Sequence, residues 1–300
     1  MIELNWEGVY PAVLTPFKEN GDIDFEMFAK NTEAQIKAGV HGIIIAGSLG
    51  DAAVLEMDEK FELLTFTIKV VNGRVPVILN IAENTTKNAV NFAVKAKQLG
   101  ADGLMLLPPM RYKADDREAV EYFKAVANAT DLPILIYNNP VDYPVFVSLA
   151  MFEELQLCPT IKAVKESTRD LTNITRMKNR FRDRYKILAG VDTISLEALA
   201  VGADGWVFGL VDAFPKETVA MYNHVKNGEF AKALELYRWF MPLLELDIHP
   251  KLIQYIKLAA TAEGISTPYL RAPRLPLVGE EAERINKVIA DGIASRPKLD

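Results

Sequence analysis

Residues 86–107, TKNAVNFAVKAKQLGADGLMLL, combine the pattern of a helix with that of a strand in one short unit. The apolar residues up to Leu99 recur at the spacing of an amphipathic helix. Gly100 follows, and glycine tolerates the left-handed conformation that closes a helix. The run from Gly103 to Leu107 is continuously apolar, which is typical of a strand covered on both faces. The stretch therefore predicts a helix followed by a buried parallel strand.

The same alternation recurs along most of the chain, with eight apolar runs separated by stretches of helical period. Regular alternation leaves an open doubly wound sheet or a closed barrel, and eight units favour a (β/α)8 barrel of the α/β class. The predicted strands are Gly8–Leu14, Gly42–Ala46, Val75–Ile81, Gly103–Leu107, Pro133–Tyr137, Ile161–Val164, Tyr185–Ala189 and Gly205–Leu210. The predicted helices between them include Asp58–Val71, Thr86–Leu99, Arg117–Ala129 and Ser148–Leu155.

Strand signals stop after about residue 223, and only helical patterns follow: Phe230–Leu246, Pro250–Glu263 and Glu280–Ser295. The apolar faces of these helices need a surface to pack against. We therefore expect residues 1–223 to form the barrel that carries the active site. Residues 224–300 are expected to form a C-terminal helical extension packed on it.

Composition excludes several classes of protein. The chain of 300 residues is 50% hydrophobic and 25% charged, as in ordinary soluble proteins. It has neither an apolar run long enough to span a bilayer nor a signal-peptide pattern, so we expect no membrane partner. A net charge of −6 argues against nucleic-acid binding, which needs a basic surface. The single cysteine, Cys158, fits a reducing cytoplasm, where we expect the protein to work.

Metal chemistry has little support in the sequence. The three histidines are scattered, and the HExxH and CxxC motifs are both absent. Asp247 and His249 are close in sequence, but two residues of suitable type occur together by chance. The sequence therefore predicts neither a metal nor a cofactor.

Residues that do chemistry in a (β/α)8 barrel lie at the carboxyl ends of its strands. Lys165 ends the apolar strand that begins at Ile161, so its ammonium group would enter the barrel mouth. Desolvation there lowers the pKa of the amine, as a Schiff-base nucleophile requires. The alternative is a lysine paired with Glu166 or another acid. Lys162, three residues earlier, is expected on the opposite face of the strand.

Two neighbouring strand ends carry further candidates. Tyr137 ends the strand before that of Lys165, so its phenol could relay a proton to the amine, or the ring could simply pack at the barrel rim. After the second strand, Gly47 and Gly50 bracket Ser48 and Leu49, and such a turn offers backbone N–H groups to a carboxylate. Glycine-containing turns also follow strands in many proteins that bind nothing there.

Taken together, these motifs resemble the dihydrodipicolinate synthase / N-acetylneuraminate lyase family of Schiff-base enzymes. The likeness runs over essentially the whole chain, and the family's fold is a (β/α)8 barrel with a helical C-terminal extension. The residues that carry it are Tyr10–Phe17, Gly47–Asp51, Ile136–Pro140 and Val164–Ser167, together with the spacing between them.

The resemblance implies roles for individual residues. Lys165 would form the Schiff base, Tyr137 would transfer protons, and the Ser48 hydroxyl would assist. It also implies a small carboxylate substrate, no cofactor and a homotetramer. The expected substrate-binding residues are Gly47, Ser48, Leu49, Gly190 and Val207.

Departures from the family pattern reduce the number of family activities that the sequence supports. The synthase has two threonines where this chain has Ser48 and Leu49, and a tyrosine from a second subunit where this chain has Met110. It also has an arginine, five positions after the motif tyrosine, that binds the second substrate's carboxylate. Here that position is Asp142, which would repel aspartate semialdehyde. We therefore expect an activity other than the lysine-pathway synthase.

Several segments resemble instead the 1-pyrroline-4-hydroxy-2-carboxylate deaminase branch, which serves hydroxyproline breakdown. Two alternatives stay open: a Schiff-base aldolase, lyase or dehydratase of a sugar-derived 2-keto-3-deoxy acid, and a catalytically silent barrel that senses a small acid. The sequence assigns no role in the expected deaminase reaction to Arg111, Tyr112 or Asp142. The segments that resemble the deaminase are Leu107–Lys113, Tyr137–Val141, Tyr237–Leu244, Pro250–Lys257 and Arg271–Pro276.

Overall fold

A computed structural model describes residues 4–109 and 112–299. In this part of the chain, eight parallel strands pair in the order β1-β8-β7-β6-β5-β4-β3-β2. The backbone N–H of Val13 donates to the carbonyl of Ile44 over 2.9 Å, which closes the sheet between its first two strands. The predicted (β/α)8 barrel is confirmed. Its strands are β1 (Gly8–Pro11), β2 (Ile43–Ile45), β3 (Val77–Ile81), β4 (Gly103–Leu106), β5 (Ile134–Asn138), β6 (Ile161–Glu166), β7 (Lys186–Ala189) and β8 (Gly205–Phe208).

Helices follow each strand, and the local sequence sets their ends. At the start of α3, the Thr85 hydroxyl accepts the N–H of Asn88 over 3.1 Å. At its end, Gly100 adopts a left-handed φ of 95°, as the sequence predicts. The barrel helices are α1 (Phe25–Ala38), α2 (Met57–Val71), α3 (Thr86–Leu99), α4 (Asp116–Ala129), α5 (Leu149–Leu155), α6 (Leu171–Phe181), α7 (Ser195–Ala200) and α8 (Pro215–Lys226). The C-terminal extension contains α9 (Phe230–Leu244), a 3₁₀ turn (Glu245–Ile248), α10 (Leu252–Ala262) and α11 (Gly279–Ala294).

Several strand ends differ from the prediction, those of β1 and β6 among them. Strand β1 stops at Pro11 rather than Leu14, because the N–H of Leu14 leaves the sheet to bind the carboxylate of Asp212 over 3.1 Å. Strand β6 runs on to Glu166 rather than ending at Val164, so Lys165 is a strand residue. Pairing with both neighbouring strands holds it in the sheet.

The hydrophobic core has two layers, because successive side chains of a strand point to opposite faces of the barrel wall. The outer layer packs the strands against the helices. The inner layer fills the barrel and includes Tyr137 at its upper end. Its other members include Tyr10, Ile44, Ile78, Met105, Leu135, Ala163, Leu188 and Val207.

The helical extension continues the outer core. Leu243, Ile256 and Ile285 are fully buried and belong to the same cluster as the outer barrel residues. The predicted boundary after residue 223 falls inside α8, because the helix that follows β8 continues to Lys226. Among the described residues, no helix has both the length and the apolar composition needed to cross a membrane.

Candidate active site

Lys165 and Tyr137 are register partners on the adjacent strands β6 and β5, and both side chains enter the barrel mouth. The Nζ of Lys165 lies 4.0 Å from the centre of the Tyr137 ring. Lys162 points to the other face of β6 and is exposed, as strand alternation predicts. Parallel pairing therefore places the amine directly against the phenol ring.

Burial controls the charge of the Lys165 amine. Only 7% of the residue is exposed, and this desolvation lowers its pKa, against the opposing effect of acidic groups led by Asp247. Glu166 is not its partner. The Glu166 carboxylate instead accepts the side-chain amide of Asn173 and the backbone N–H of Thr168, each over 2.8 Å. Burial thus makes the neutral form of this amine easier to reach than in an exposed lysine.

The absence of a side chain at Gly190 leaves room for the side chain of Lys165. A methyl group added at this position would lie 2.7 Å from Cε of Lys165 and 2.1 Å from the hydroxyl oxygen of Ser167. Both distances are well inside van der Waals contact. Gly190 therefore lies against the chain of Lys165, and any larger residue there would displace the amine.

The hydroxyl of Ser48 pairs with a tyrosine that the sequence did not single out. Ser48 Oγ lies 2.5 Å from Oη of Tyr143, and either atom can donate. The Tyr143 ring also meets the Tyr137 ring edge to face, with centroids 5.7 Å apart. Ser48, which was expected to assist Tyr137, is thus hydrogen-bonded to Tyr143.

The phenol of Tyr137 has a different partner. Asn139 donates one side-chain N–H to Tyr137 Oη over 3.0 Å and another to the Asp142 carboxylate over 2.7 Å. The backbone N–H of Asp142 returns a hydrogen bond to the Asn139 carbonyl oxygen over 3.3 Å. Asp142 therefore orients the asparagine that holds the Tyr137 phenol.

A cavity of about 680 Å³, including its open mouth, surrounds the Lys165 amine. This volume suits a small molecule. Most predicted site residues line it, but Gly47 does not. The Gly47 carbonyl accepts the N–H of Ala52 within the turn. The predicted residues that do line the cavity are Ser48, Leu49, Tyr137, Lys165, Gly190 and Val207.

Part of the cavity lining is acidic. Asp192 and Asp247 both line the cavity, and Asp247 comes from the 3₁₀ turn of the helical extension. Burial raises the pKa of Asp192, and Asp247 raises it further. Burial also raises the pKa of Asp247 to about 6, although Lys165 opposes that rise. Arg169 contributes positive charge to the same lining.

Comparison with known proteins bears directly on this arrangement. The model of the "Dihydrodipicolinate synthetase family" matches residues 5–291, which is nearly the whole chain. This chain belongs to that family. Members of the dihydrodipicolinate synthetase family are Schiff-base lyases, so the chain is an enzyme of the lyase class.

Individual relatives of this family member are similar along their full lengths. The 4-hydroxy-tetrahydrodipicolinate synthase of Bacillus velezensis is 30% identical over 96% of this chain and 100% of its own. That of Methanoculleus marisnigri is 31% identical over 95% of this chain and 99% of its own. The solved structure of the synthase from Methylacidiphilum fumariolicum SolV superposes with a TM-score of 0.92 at 26% identity, covering 96% of both chains.

The structure also places site residues that sequence reasoning missed. Asn139 directly follows β5, and Tyr143 and Asp192 lie in the loops after β5 and β7, so a search of each loop for polar residues would have included them. Asp247 comes from the extension, and sequence reasoning considered it only as a possible metal ligand. His249, its candidate metal-binding companion, stacks on Tyr255 at 4.6 Å between ring centres.

The remaining sequence candidates lie in the loop after β4. Tyr112 is 54% exposed and does not line the cavity. Met110 and Arg111 lie outside the described residues, as does the very start of the chain, Met1 to Glu3.

Proposed function

We propose that this family member is a Schiff-base deaminase that converts 1-pyrroline-4-hydroxy-2-carboxylate to 2-oxoglutarate semialdehyde and ammonia. The observation that carries the proposal is the charge of the Lys165 cavity. Besides Lys165, its lining presents the carboxylates of Asp142, Asp192 and Asp247 and the guanidinium of Arg169, so acids outnumber bases there. Such a lining suits a substrate with one carboxylate and a hydroxyl or amine at its other end, and it disfavours a second carboxylate.

Lys165 would act as the nucleophile, since burial favours its neutral amine. Attack on C2 of the cyclic imine and release of the ring nitrogen leave the substrate joined to Lys165 through C2, with a primary amine on C5. The new imine withdraws electrons from C3, so its proton becomes acidic. Tyr137, held beside the amine by Asn139, would take up and return protons during these steps.

The turn after β2 would hold the substrate carboxylate. Ser48 and Leu49 line the cavity on that side. Within the described ranges, no protein acceptor takes the backbone N–H groups of these two residues. Backbone N–H groups without a protein acceptor, in residues that line a cavity, are suitable donors for a carboxylate.

The acid pair would act at the far end of the substrate. Burial raises the pKa of both carboxyl groups, so either is easier to protonate than an ordinary aspartate and can then act as an acid. The Asp192 carboxylate also accepts the backbone N–H groups of Gly209 and Leu210. Asp192 and Asp247 would protonate the C4 hydroxyl as it leaves as water and would attract the ammonium group on C5. Shift of the double bond then gives an imine at C5.

Hydrolysis completes the balance of atoms. One water converts the C5 imine to the aldehyde and ammonia, and a second releases the product from Lys165. Since dehydration yields one water, the net reaction consumes one. Oxidants and reductants take no part in it.

A second function, the synthase reaction, has its own support. The curated relatives at about 30% identity are named as synthases, and Arg169 lines the cavity, where a guanidinium could bind a second carboxylate. Asp142 counts against it, because it is tied to Asn139 where the synthase has an arginine.

A substrate panel tests the proposal. The purified enzyme is given the pyrroline carboxylate, pyruvate with aspartate semialdehyde, or a 2-keto-3-deoxy sugar acid. Ammonia, dihydrodipicolinate and 2-oxo-acid products are then followed. We expect ammonia from the first compound at a rate well above the others. Condensation without deamination would favour the synthase reaction instead. Turnover of the sugar acid alone would indicate an aldolase or dehydratase, and binding without turnover would indicate a sensor.

A further inference from the structure

We propose that Tyr143 is a catalytic proton carrier that works as one unit with Ser48. The two hydroxyl oxygens are 2.5 Å apart, and either can be the donor. Both residues line the cavity that contains the Lys165 amine. This inference rests on the proposed Lys165 imine, but not on which substrate the enzyme deaminates.

The two tyrosines of the cavity have separate hydrogen-bond partners. Tyr137 lies under the amine, and Asn139 holds its phenol from the β5 side. Tyr143 meets the edge of that ring, but its own hydroxyl reaches across the barrel mouth to the turn after β2. The pair of Ser48 and Tyr143 therefore lines the same cavity as the lysine, and Ser48 belongs to the turn that would hold the substrate carboxylate.

Burial restricts how this pair can move a proton. Tyr143 is partly buried, and this desolvation raises its pKa to about 12, although Ser48 and Lys165 oppose that rise. A lone phenolate would be costly there, so uptake and release of the proton must be coupled. When Lys165 attacks C2, one hydroxyl of the pair takes the proton that the lysine nitrogen loses. The other gives its proton to the ring nitrogen, or to a carbonyl oxygen, as the bond to C2 breaks. The pair ends uncharged.

Pyruvate provides a test that does not depend on the natural substrate. Wild type, Tyr143→Phe, Ser48→Ala and the double variant are incubated with pyruvate. Imine formation is measured by borohydride trapping, and exchange of the methyl protons in D₂O is followed by NMR. Each single variant should slow imine formation about 100- to 10,000-fold. The double variant should be no slower than the slower single variant, because the two residues act as one unit.

Tyr185→Phe is the matched control, since this buried phenol donates to the Phe152 carbonyl and does not line the cavity. It should trap pyruvate at the wild-type rate. If Tyr143→Phe fails to fold, as judged by circular dichroism, Ser48→Ala alone must still show the loss. The proposed pair would be wrong if folded Tyr143→Phe formed the imine at the wild-type rate. It would also be wrong if the rate loss in the double variant were the product of the two single losses. Neither result would contradict the Lys165 imine itself. If wild type gave no adduct with pyruvate, the proposed Lys165 imine would be wrong, and so would the proton transfer by the pair.

Discussion

Lys165 owes its proposed reactivity to a small number of neighbours. The Tyr137 ring lies 4.0 Å from its amine, and Gly190 leaves room for its side chain. Burial lowers the pKa of the amine, while the nearby acids keep part of its positive charge stable. A lysine in these surroundings can lose its proton for attack and regain charge as the iminium ion. Three predictions test this environment.

Replacing the nucleophile should abolish the chemistry and preserve the fold. Lys165→Arg keeps a positive charge, but a guanidinium stays protonated and cannot form an imine. Lys162→Arg is the matched control on the same strand, because Lys162 is exposed on the other face. After borohydride treatment with pyruvate, mass spectrometry should find the adduct in the control and none in Lys165→Arg. An adduct that maps to Lys162 would contradict the assignment.

Removing the phenol of Tyr137 should slow turnover more than it weakens binding. The ring of Tyr137→Phe still packs beside the amine, but the group that Asn139 holds is gone. We expect kcat to fall by about 100- to 10,000-fold with little change in KM. Steady-state kinetics with the preferred substrate measures both. A raised KM with unchanged kcat would make Tyr137 a binding residue only.

Asp247 should set part of the pH dependence of imine formation. Lys165 must be neutral to attack, so the rate falls as pH drops through its pKa. Asp247 raises that pKa. Asp247→Asn removes the negative charge, so the pKa of Lys165 should fall and the acidic limb of the profile should move to lower pH. Trapping rates measured across pH test the shift. A limb that stays in place or moves to higher pH would contradict it.

Helix α10 reaches back to the turn that carries Ser48. The Nζ of Lys257 lies 2.9 Å from Asp51 Oδ2, and both side chains are essentially unexposed. Arg274 Nη1 lies 3.1 Å from the other oxygen of Asp51. Lys257 also lies over the Phe17 ring, 4.4 Å from its centre. The extension therefore contributes a buried ion pair that anchors the last residue of the turn from Gly47 to Asp51.

Breaking that anchor should cost stability. Removing one partner of a buried ion pair typically costs about 3–5 kcal/mol, and Arg274 should reduce the loss at Asp51. Lys257→Met should therefore lower the thermal unfolding midpoint clearly. Lys287→Met is the matched control, because its pair with Asp291 is exposed and such pairs contribute about 0–1 kcal/mol. Equal midpoints for the two variants in calorimetry would contradict the anchoring role.

The complete molecule assembles one cavity from distant parts of the chain. Strands β2, β5, β6 and β7 deliver residues to the same end of the barrel, and the extension adds Asp247. This convergence follows from the fold, since parallel strands in a closed barrel all end at one face. The extension shares the outer core, so it is part of the same packed body.

Family resemblance implies that four such molecules associate. We expect sedimentation of the purified chain to give one species with four times the protomer mass of 33.4 kDa. Leu275 and Val278 are 73% and 77% exposed and line one open cleft, so they are apolar surface that association can cover. A monomer at micromolar concentration would contradict the prediction.

The order of strands and helices could be read from the sequence because hydrophobic period is a local property. The helix and strand in residues 86–107 follow from their own spacing and from Gly100. The placement of Lys165 at a strand end also follows, since alternation alone separates it from Lys162. These features depend on residues close together in the chain, so they determine the barrel and its lysine without any knowledge of the folded contacts.

Only the tertiary structure decided which groups surround that lysine. The partner of Ser48 is Tyr143, 95 residues away, and the acid that acts most strongly on the charge of Lys165 is Asp247 in the extension. Hydrogen bonds and Coulomb interactions depend on distance in space, and closure of the barrel sets these distances. Sequence spacing carries no record of them. The position of Lys165 on its strand is therefore local in origin, whereas its proton partners and the acids near it result from the packing of the whole chain.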